Sequence, residues 1–396
     1  MGNIFILFFV VLIILAIAFR ADFVLILLYL MGGIFVINQW WSRRAMRSVS
    51  VEREFTSQAF FGEKIPVQLT ITNTGYLPVV WMHIREALPM ELAPEGTRQQ
   101  VVYIGPKASV DMNYILDCSH RGYYPIGPLN LISGDLLGLL KQQHLMIPAE
   151  YLTVYPKTIP LARVNLPTHS PIGTLRHYQP LFEDPARSRG KREYLPGDSL
   201  RRIDWKASAN LNRLQVKLFE PSIALETMIY LNMNRDEYEV KDLFRASELA
   251  IVAAASIANW ISKARQSVGL ATNGLDPLED EGHPPSMPPK SGQRNLMRIL
   301  EVLARIQTGD SIPFVDLIYR QSVHLSWGTT LVIVANRVDD DLFDIIIQER
   351  RRGLSAILIL CGFVDGLTMI EKKASSVNLP LYHFLTEKDL DVWRIE

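Results

Sequence analysis

The stretch Thr227-Met228-Ile229-Tyr230-Leu231-Asn232-Met233-Asn234-Arg235-Asp236 decides the fold of the C-terminal half. Its first five residues form a short apolar run that stops abruptly at polar ones, the pattern of a buried strand ending in a loop. Downstream, Leu243 to Ile261 carries helical periodicity, and Val268 to Ala271, Leu331 to Ala335 and Ala356 to Leu360 read as further buried strands. Helices are predicted from about Asn295 to Ile306 and from Asp340 to Arg351. Alternation of this kind predicts a mostly parallel sheet with helices on both faces, over residues 223–396. Ligands in such folds gather at the carboxyl ends of the strands.

Upstream the character of the chain changes. Of 396 residues, 41 are Lys or Arg and 41 are Asp or Glu, and 48% are hydrophobic. Zero net charge excludes a globally basic nucleic-acid binder, and the apolar content excludes a disordered chain. The mean hydropathy of +0.10 reflects an excess concentrated at the N-terminus. Ile4 to Phe19 is wholly apolar, Arg20-Ala21-Asp22 interrupts, and a second apolar run extends from Phe23 to Ile37 before Trp40, Trp41, Arg43, Arg44 and Arg47. Two such runs predict a transmembrane helical hairpin over residues 1–41 in the plasma membrane, and the trailing arginines place the soluble domains in the cytoplasm. The lipid bilayer and other membrane-associated proteins are then expected partners, and nucleic acid is not. Cys118 and Cys361 are distant in sequence and form no CxxC pattern, which fits a reducing compartment.

Residues 48–150 alternate with period two in short runs, at Val67–Thr72, Val79–Ile84, Val101–Ile104 and Val110–Leu116. Asn73-Thr74-Gly75, Gly105-Pro106 and Tyr124-Pro125 supply turn chemistry between or after them. The spacing predicts an antiparallel, Ig-like β-sandwich. His83 and His120 have no Cys or Glu at metal-ligand spacing and read as ordinary side chains.

Residues 151–222 connect the two regions. From Arg176 to Lys217 there are ten Lys or Arg against five Asp or Glu, a local basic excess in a neutral chain. Asp198 or Ser199 is positioned to cap a short helix carrying Leu200, Ile203 and Trp205 on one face, with Arg201 and Arg202 projecting from the other. Adjacent arginines suit an acidic docking site, and Asp198 and Asp204 equally suit an internal Arg/Asp network.

The run Arg192-Glu193-Tyr194-Leu195-Pro196-Gly197-Asp198-Ser199-Leu200-Arg201-Arg202-Ile203-Asp204-Trp205-Lys206-Ala207-Ser208-Ala209, followed by Leu214 to Glu220, closely resembles the signature of the bacterial and archaeal domain-of-unknown-function family fifty-eight. The resemblance extends to the apolar N-terminus, to the passage through Arg121, Gly127 and Gly138, and to the C-terminal region. It implies a von Willebrand factor A-like, Rossmann-like C-terminal domain and a MoxR-type AAA+ ATPase as partner in a chaperone-like or assembly role. It assigns Arg192, Tyr194, Gly197, Asp198, Arg201, Arg202, Asp204, Trp205 and Lys206 to the signature, and it implies no reaction.

In von Willebrand A-like domains an Asp-x-Ser-x-Ser pattern after the first strand holds Mg²⁺. The corresponding residues here are Asn232, Asn234 and Asp236, so the leading carboxylate is an amide and the site is degenerate. No cofactor is expected. The chain has no Gly-x-x-x-x-Gly-Lys-Ser/Thr loop, no His-Glu-x-x-His and no Gly-x-Ser-x-Gly, so ATP-driven work would depend on a partner. The expected function is a non-enzymatic, membrane-anchored adaptor or scaffold. The alternatives are a hydrolase with a site between the signature segment and the α/β domain, which would require perturbed titratable groups around His177, Asp198 and Asp204, and a metal-dependent ligand-binding domain.

Overall fold

The computed structural model describes residues 10, 11, 13, 22–93, 96–134, 143–161, 183–194, 203–211, 213–221, 226–279, 284–310 and 312–393. The chain divides into two compact units, Met1–Lys157 with Leu303–Arg305, and Thr158–Val302 with Ile306–Glu396.

Among the described residues the first unit contains helix α1 (Asp22–Arg47) followed by ten strands. Strands β1 (Val49–Glu54), β3 (Lys64–Asn73) and β6 (Ser109–Asp117) form one sheet. Strands β5 (Arg98–Ile104), β4 (Val79–Glu86), β8 (Leu129–Ser133) and β9 (Gln143–Ile147) form a second, in that order. A third contains β2 (Gln58–Ala59), β10 (Glu150–Val154) and β7 (Gly122–Ile126). The alternation along β3 explains why it organises the core. Leu69 and Ile71 pack with Met82, Ile84 and Leu131 of the second sheet, whereas Ile65 and Val67 pack with Ile126, Leu152 and Val154 of the third. Two details depart from an all-antiparallel sandwich with a turn at Tyr124-Pro125. Strand β2 pairs with β10 in parallel, and Pro125 lies inside β7 opposite Tyr151.

The expected transmembrane helical hairpin is overturned: among the described residues no helix is long and apolar enough to cross a membrane. The physical reason lies in how α1 is divided. Its apolar run, Phe23 to Ile37, rises only about 22 Å at 1.5 Å per residue, against roughly 30 Å of hydrocarbon. The rest of the same helix belongs to the sandwich. Ala45 and Met46 are buried in its core, and Trp41 Nε1 donates to the Pro78 carbonyl at 3.1 Å, so this tryptophan serves tertiary packing rather than an aromatic belt. The other expected span, Ile4 to Phe19, lies outside the described residues except at positions 10, 11 and 13.

In the second unit β11 (Glu183–Glu193) and β12 (Gln215–Pro221) form a bulged antiparallel pair, with helix α2 (Trp205–Leu211) packed on β12. A six-stranded sheet follows. Its order is β15 (Ser286–Lys290), β14 (Ser267–Thr272), β13 (Glu226–Leu231), β16 (Thr330–Ala335), β17 (Ser355–Cys361) and β18 (Leu381–Phe384). All neighbours are parallel except β14 and β15. Helix α3 (Leu243–Lys263) packs across β13, β14, β16 and β17. Six alanines among its buried residues, Ala246, Ala250, Ala253, Ala254, Ala255 and Ala258, allow close approach to the sheet. Met228, Tyr230, Leu331 and Ile333 share a core with α5 (Phe314–Ser322) and α6 (Asp340–Arg351), and the alternate residues Ile229, Leu231, Val332 and Val334 are equally buried. Helix α4 (Gln293–Arg305), as far as Val302, and α7 (Leu367–Ser376) complete the unit.

The Pro-rich passage from Gly274 to Gly292 reads in sequence as an exposed loop, yet Ser286–Lys290 is a strand. Pro288 and Pro289 are compatible with it because β15 is at the sheet edge, where a missing donor can face away from the ladder.

Candidate functional site

The strand order reverses between β13 and β16, parallel neighbours at the sheet centre, and the crevice of a doubly wound sheet opens at that point. Asn232 immediately follows β13 and Asn336 immediately follows β16. Asn232 is fully buried. Its Oδ1 accepts from the Asn234 backbone N–H and from Asn273 Nδ2, both at 3.1 Å, and its Nδ2 donates to Glu237. Asn234 Nδ2 reaches the other Glu237 oxygen at 3.3 Å, and Tyr238 Oη donates to the Asn232 carbonyl at 2.6 Å. Asn273, which follows β14, accepts from the Met233 N–H at 2.7 Å. Asn336 Nδ2 donates to the carbonyls of Cys361 at 2.7 Å and Phe363 at 3.0 Å, tying the end of β16 to the loop after β17.

Burial raises the Glu237 carboxyl above its ordinary range; the amides of Asn232 and Asn234 pull it back, and Asp339 adds to the rise. On the other side of the crevice Asp242 accepts from Arg245 Nε at 2.8 Å and from the Phe363 N–H at 3.1 Å, and the Arg245 bond holds its carboxyl below the usual range.

This donor set does not fit Mg²⁺. Both acceptor directions of Asn232 Oδ1 are occupied by protein N–H groups, Asn234 turns its Nδ2 toward Glu237, and Asp236 is exposed. Among the described residues no group of three or more His, Cys, Asp or Glu is placed to hold a metal ion. Around the sealed crevice, apolar side chains stand in water: Val240 is 92% exposed, Phe244 71% and Phe363 52%.

The signature residues gather in the β11–β12–α2 module. Asp204 is its hub. Lys191 Nζ lies 2.8 Å from Asp204 Oδ2, the Ala207 N–H donates to Oδ1 at 3.1 Å, and the Asp204 N–H donates to the Gln215 carbonyl at 2.8 Å. The Lys191 bond, assisted by Ala207 and Lys217, holds the Asp204 carboxyl below its ordinary range. Ser208 Oγ donates to the Asp204 carbonyl and accepts from the Gln215 N–H, both at 2.8 Å. The Tyr194 N–H donates to the Leu214 carbonyl at 2.9 Å, and Arg192 Nη1 donates to the Glu193 carbonyl at 3.0 Å. Trp205 is 68% exposed and Lys206 is exposed as well.

Trp205 was expected to share a face with Ile203. Instead Ile203 is buried in a bridge to Val216 and the indole faces outward, because α2 starts after Asp204, whose carboxylate caps it. Gly197, Asp198, Arg201 and Arg202 lie outside the described residues, as does His177. Sequence reasoning missed Glu237, Asn273, Phe244 and Phe363. The first two carry no local motif, and each of the others reads as one apolar residue beside a helix or strand end.

Residues 190–321 match the family described as "Protein of unknown function DUF58". The "Uncharacterized protein YeaD" of Bacillus subtilis (strain 168) is 27% identical over 237 residues, spanning 58% of this chain and 57% of that protein. Among solved structures, the CARDB domain of the Pyrococcus furiosus PF1109 protein is 13% identical, with a TM-score of 0.19, covering 27% of this chain and 86% of that one. A cohesin module from Clostridium perfringens is 10% identical, with a TM-score of 0.20, covering 27% and 96%. The signature module and the first half of the α/β sheet thus coincide with the matched residues, and this part of the chain is similar to the DUF58 family of proteins of unknown function.

Proposed function

We propose that the chain is a non-enzymatic adaptor whose docking surface is the carboxyl rim of its α/β sheet, acting with a MoxR-type AAA+ ATPase in chaperone-like assembly or regulation. One observation carries this reading. Where the strand order reverses, the buried amides Asn232, Asn273 and Asn336 are consumed by bonds within the protein, while Val240, Phe244 and Phe363 remain in water around them. A catalytic crevice keeps acids, bases or donors aimed at open space for a substrate. A sealed hydrogen-bonded floor ringed by aromatic side chains suits rigid-body docking, in which large apolar anchors supply most of the binding energy. The parallel sheet with one antiparallel edge supports the von Willebrand factor A-like assignment of this unit. The ATPase partner rests on the resemblance of Arg192–Ala209, and the missing P-loop is consistent with energy being supplied by another chain.

The test is affinity purification of the full chain from its native cells, with bound proteins identified by mass spectrometry, comparing wild type with Phe363→Asp. An AAA+ ATPase is expected with wild type and lost from a variant whose circular dichroism is unchanged. Absence of the ATPase from wild type, or its retention by the folded variant, overturns the reading.

A further inference from the structure

The signature module and the sheet rim carry opposite charge. Over β11, Asp204 to Leu214 and β12, seven Lys or Arg stand against five Asp or Glu, and the basic excess lies around α2 and the facing strand ends, where Lys191, Arg192, Lys206, Arg213 and Lys217 outnumber Glu193 and Asp204. Lys191 and Lys217 are cross-strand partners and flank the hub carboxylate. Beside them the Trp205 indole is exposed on α2, and the module also exposes Leu211 and Leu214. On the rim, Asp236, Glu239, Asp339, Asp341 and Asp365 are all exposed and outnumber Arg235, Lys241 and Arg337. The rim is one connected surface: the Phe363 N–H bonds Asp242, which precedes Phe244 by two residues, and Asn336 bonds the Phe363 carbonyl.

A chain of zero net charge has therefore separated its charge into a basic surface with an exposed indole and an acidic surface with exposed phenyl rings. Such surfaces complement each other, and every copy carries both. We infer that the rim of one copy docks the signature module of a second copy of this chain, with Trp205 seated among Val240, Phe244 and Phe363 and with Lys206 and Lys217 facing Asp236 and Glu239. The inference rests on the reading of the rim as a docking surface and names its occupant. Because the two surfaces differ, the contact is head-to-tail, so assembly continues into a ring or a filament rather than stopping at a twofold dimer.

Sedimentation velocity on the purified full chain tests this. Wild type is expected to gain mass with concentration and to lose it as salt is raised, because the charge contribution is screened. A module variant, Trp205→Ala with Lys206→Glu, and a rim variant, Phe363→Asp with Glu239→Lys, are each expected to associate more weakly by about tenfold or more. An equimolar mixture of the two variants discriminates further: each retains one intact surface, so the mixture forms a one-to-one dimer and grows no larger. Lys206→Glu alone, on the exposed side of α2, serves if the double module variant fails to fold. A wild type that stays monomeric, variants that associate as wild type does, or a mixture that stays monomeric overturns the inference. ATPase capture by the same proteins separates the two readings. A monomeric wild type whose rim variant loses the ATPase leaves the rim as a docking surface for another protein, and self-association without ATPase capture removes the ATPase instead.

Discussion

Asp204 Oδ2 lies 2.8 Å from Lys191 Nζ, joining the residue that caps α2 to the strand β11 whose lysine stands opposite Lys217. Two lysines directly opposite on a strand pair repel, and the carboxylate between them removes that penalty. The same side chain caps α2. One carboxylate therefore holds strand, helix and charge balance of the module together.

Replacing it by Asp204→Asn keeps a capping oxygen and discards the charge. The expected result is faster hydrogen exchange at the Tyr194 and Asp204 amides, which close the module through Leu214 and Gln215, with little change at Val332 or Ile357 in the central sheet. Equal acceleration everywhere would refute a local role. The pH dependence has a definite sign. A carboxyl whose pKa is lowered on folding adds stability above its unfolded value of about 3.9, and that stability is lost as pH falls through the folded value. Protection at these two amides, taken as exchange relative to the intrinsic rate at each pH, should fall in acid in wild type and stay flat in Asp204→Asn.

The sandwich contains a buried ion pair. Arg53 Nε donates to Glu86 Oε1 at 3.0 Å, with the side chains 2% and 0% exposed, and burial raises the Glu86 carboxyl despite the arginine. Arg53→Met removes the ion-pair partner of that buried carboxylate, leaving it only Tyr114 and the more distant Arg98, and should cost about 3–5 kcal/mol in urea unfolding, whereas Arg53→Met with Glu86→Leu should cost much less. An unpaired buried Glu86 takes up its proton above its ordinary range, so the single variant's deficit should shrink as pH falls through that raised value and vanish near the unfolded value of about 4.3. A deficit independent of pH would argue against this assignment.

Asn232→Asp restores a carboxylate at the end of β13, where the amide now donates to Glu237. Two acceptors then face each other in a buried setting. The expected cost at neutral pH is about 1–3 kcal/mol, smaller in acid, when one of the pair is protonated. Thermal melts at pH 7 and pH 5 measure it, and a stabilised variant at pH 7 would contradict the network described.

Gly362 has φ +85°, and a Cβ there would lie 2.4 Å from Ala246 Cβ and 2.9 Å from Asp242 Oδ2. Gly362→Ala should therefore displace the loop carrying Phe363 away from α3, lower stability by about 1–3 kcal/mol and weaken docking at the rim. Unchanged unfolding and unchanged association would show that the loop is softer than its contacts indicate.

Much of the fold was legible in the chain because helix and buried-strand signals are local. The helix expected from Asp340 to Arg351 occupies those residues, with Asp339 capping it through the Leu342 N–H at 2.8 Å. The strands expected at Thr227–Leu231 and Leu331–Ala335 are each one residue longer at the amino end. The edges were harder to read. Strand β15 is hidden by its prolines, and β18 is only four residues long. The transmembrane expectation failed because hydropathy weighs Phe23–Ile37 alone and does not register that the following turns of the same helix are built into the sandwich through Trp41, Ala45 and Met46.

The candidate site divides along the same line. The sequence by itself determined that Asn232, Asn234 and Asn336 close strands with amides, and that Asp204, Trp205 and Lys206 sit together in one motif, since these are facts of adjacency. Only the tertiary structure decided that Asn232 meets Asn273, forty-one residues away, and that Asn336 holds the loop of Phe363. Those meetings follow from the strand order, with β14, β13, β16 and β17 side by side. Strand order is set by which nonlocal faces bury best against each other, and no local pattern encodes that choice.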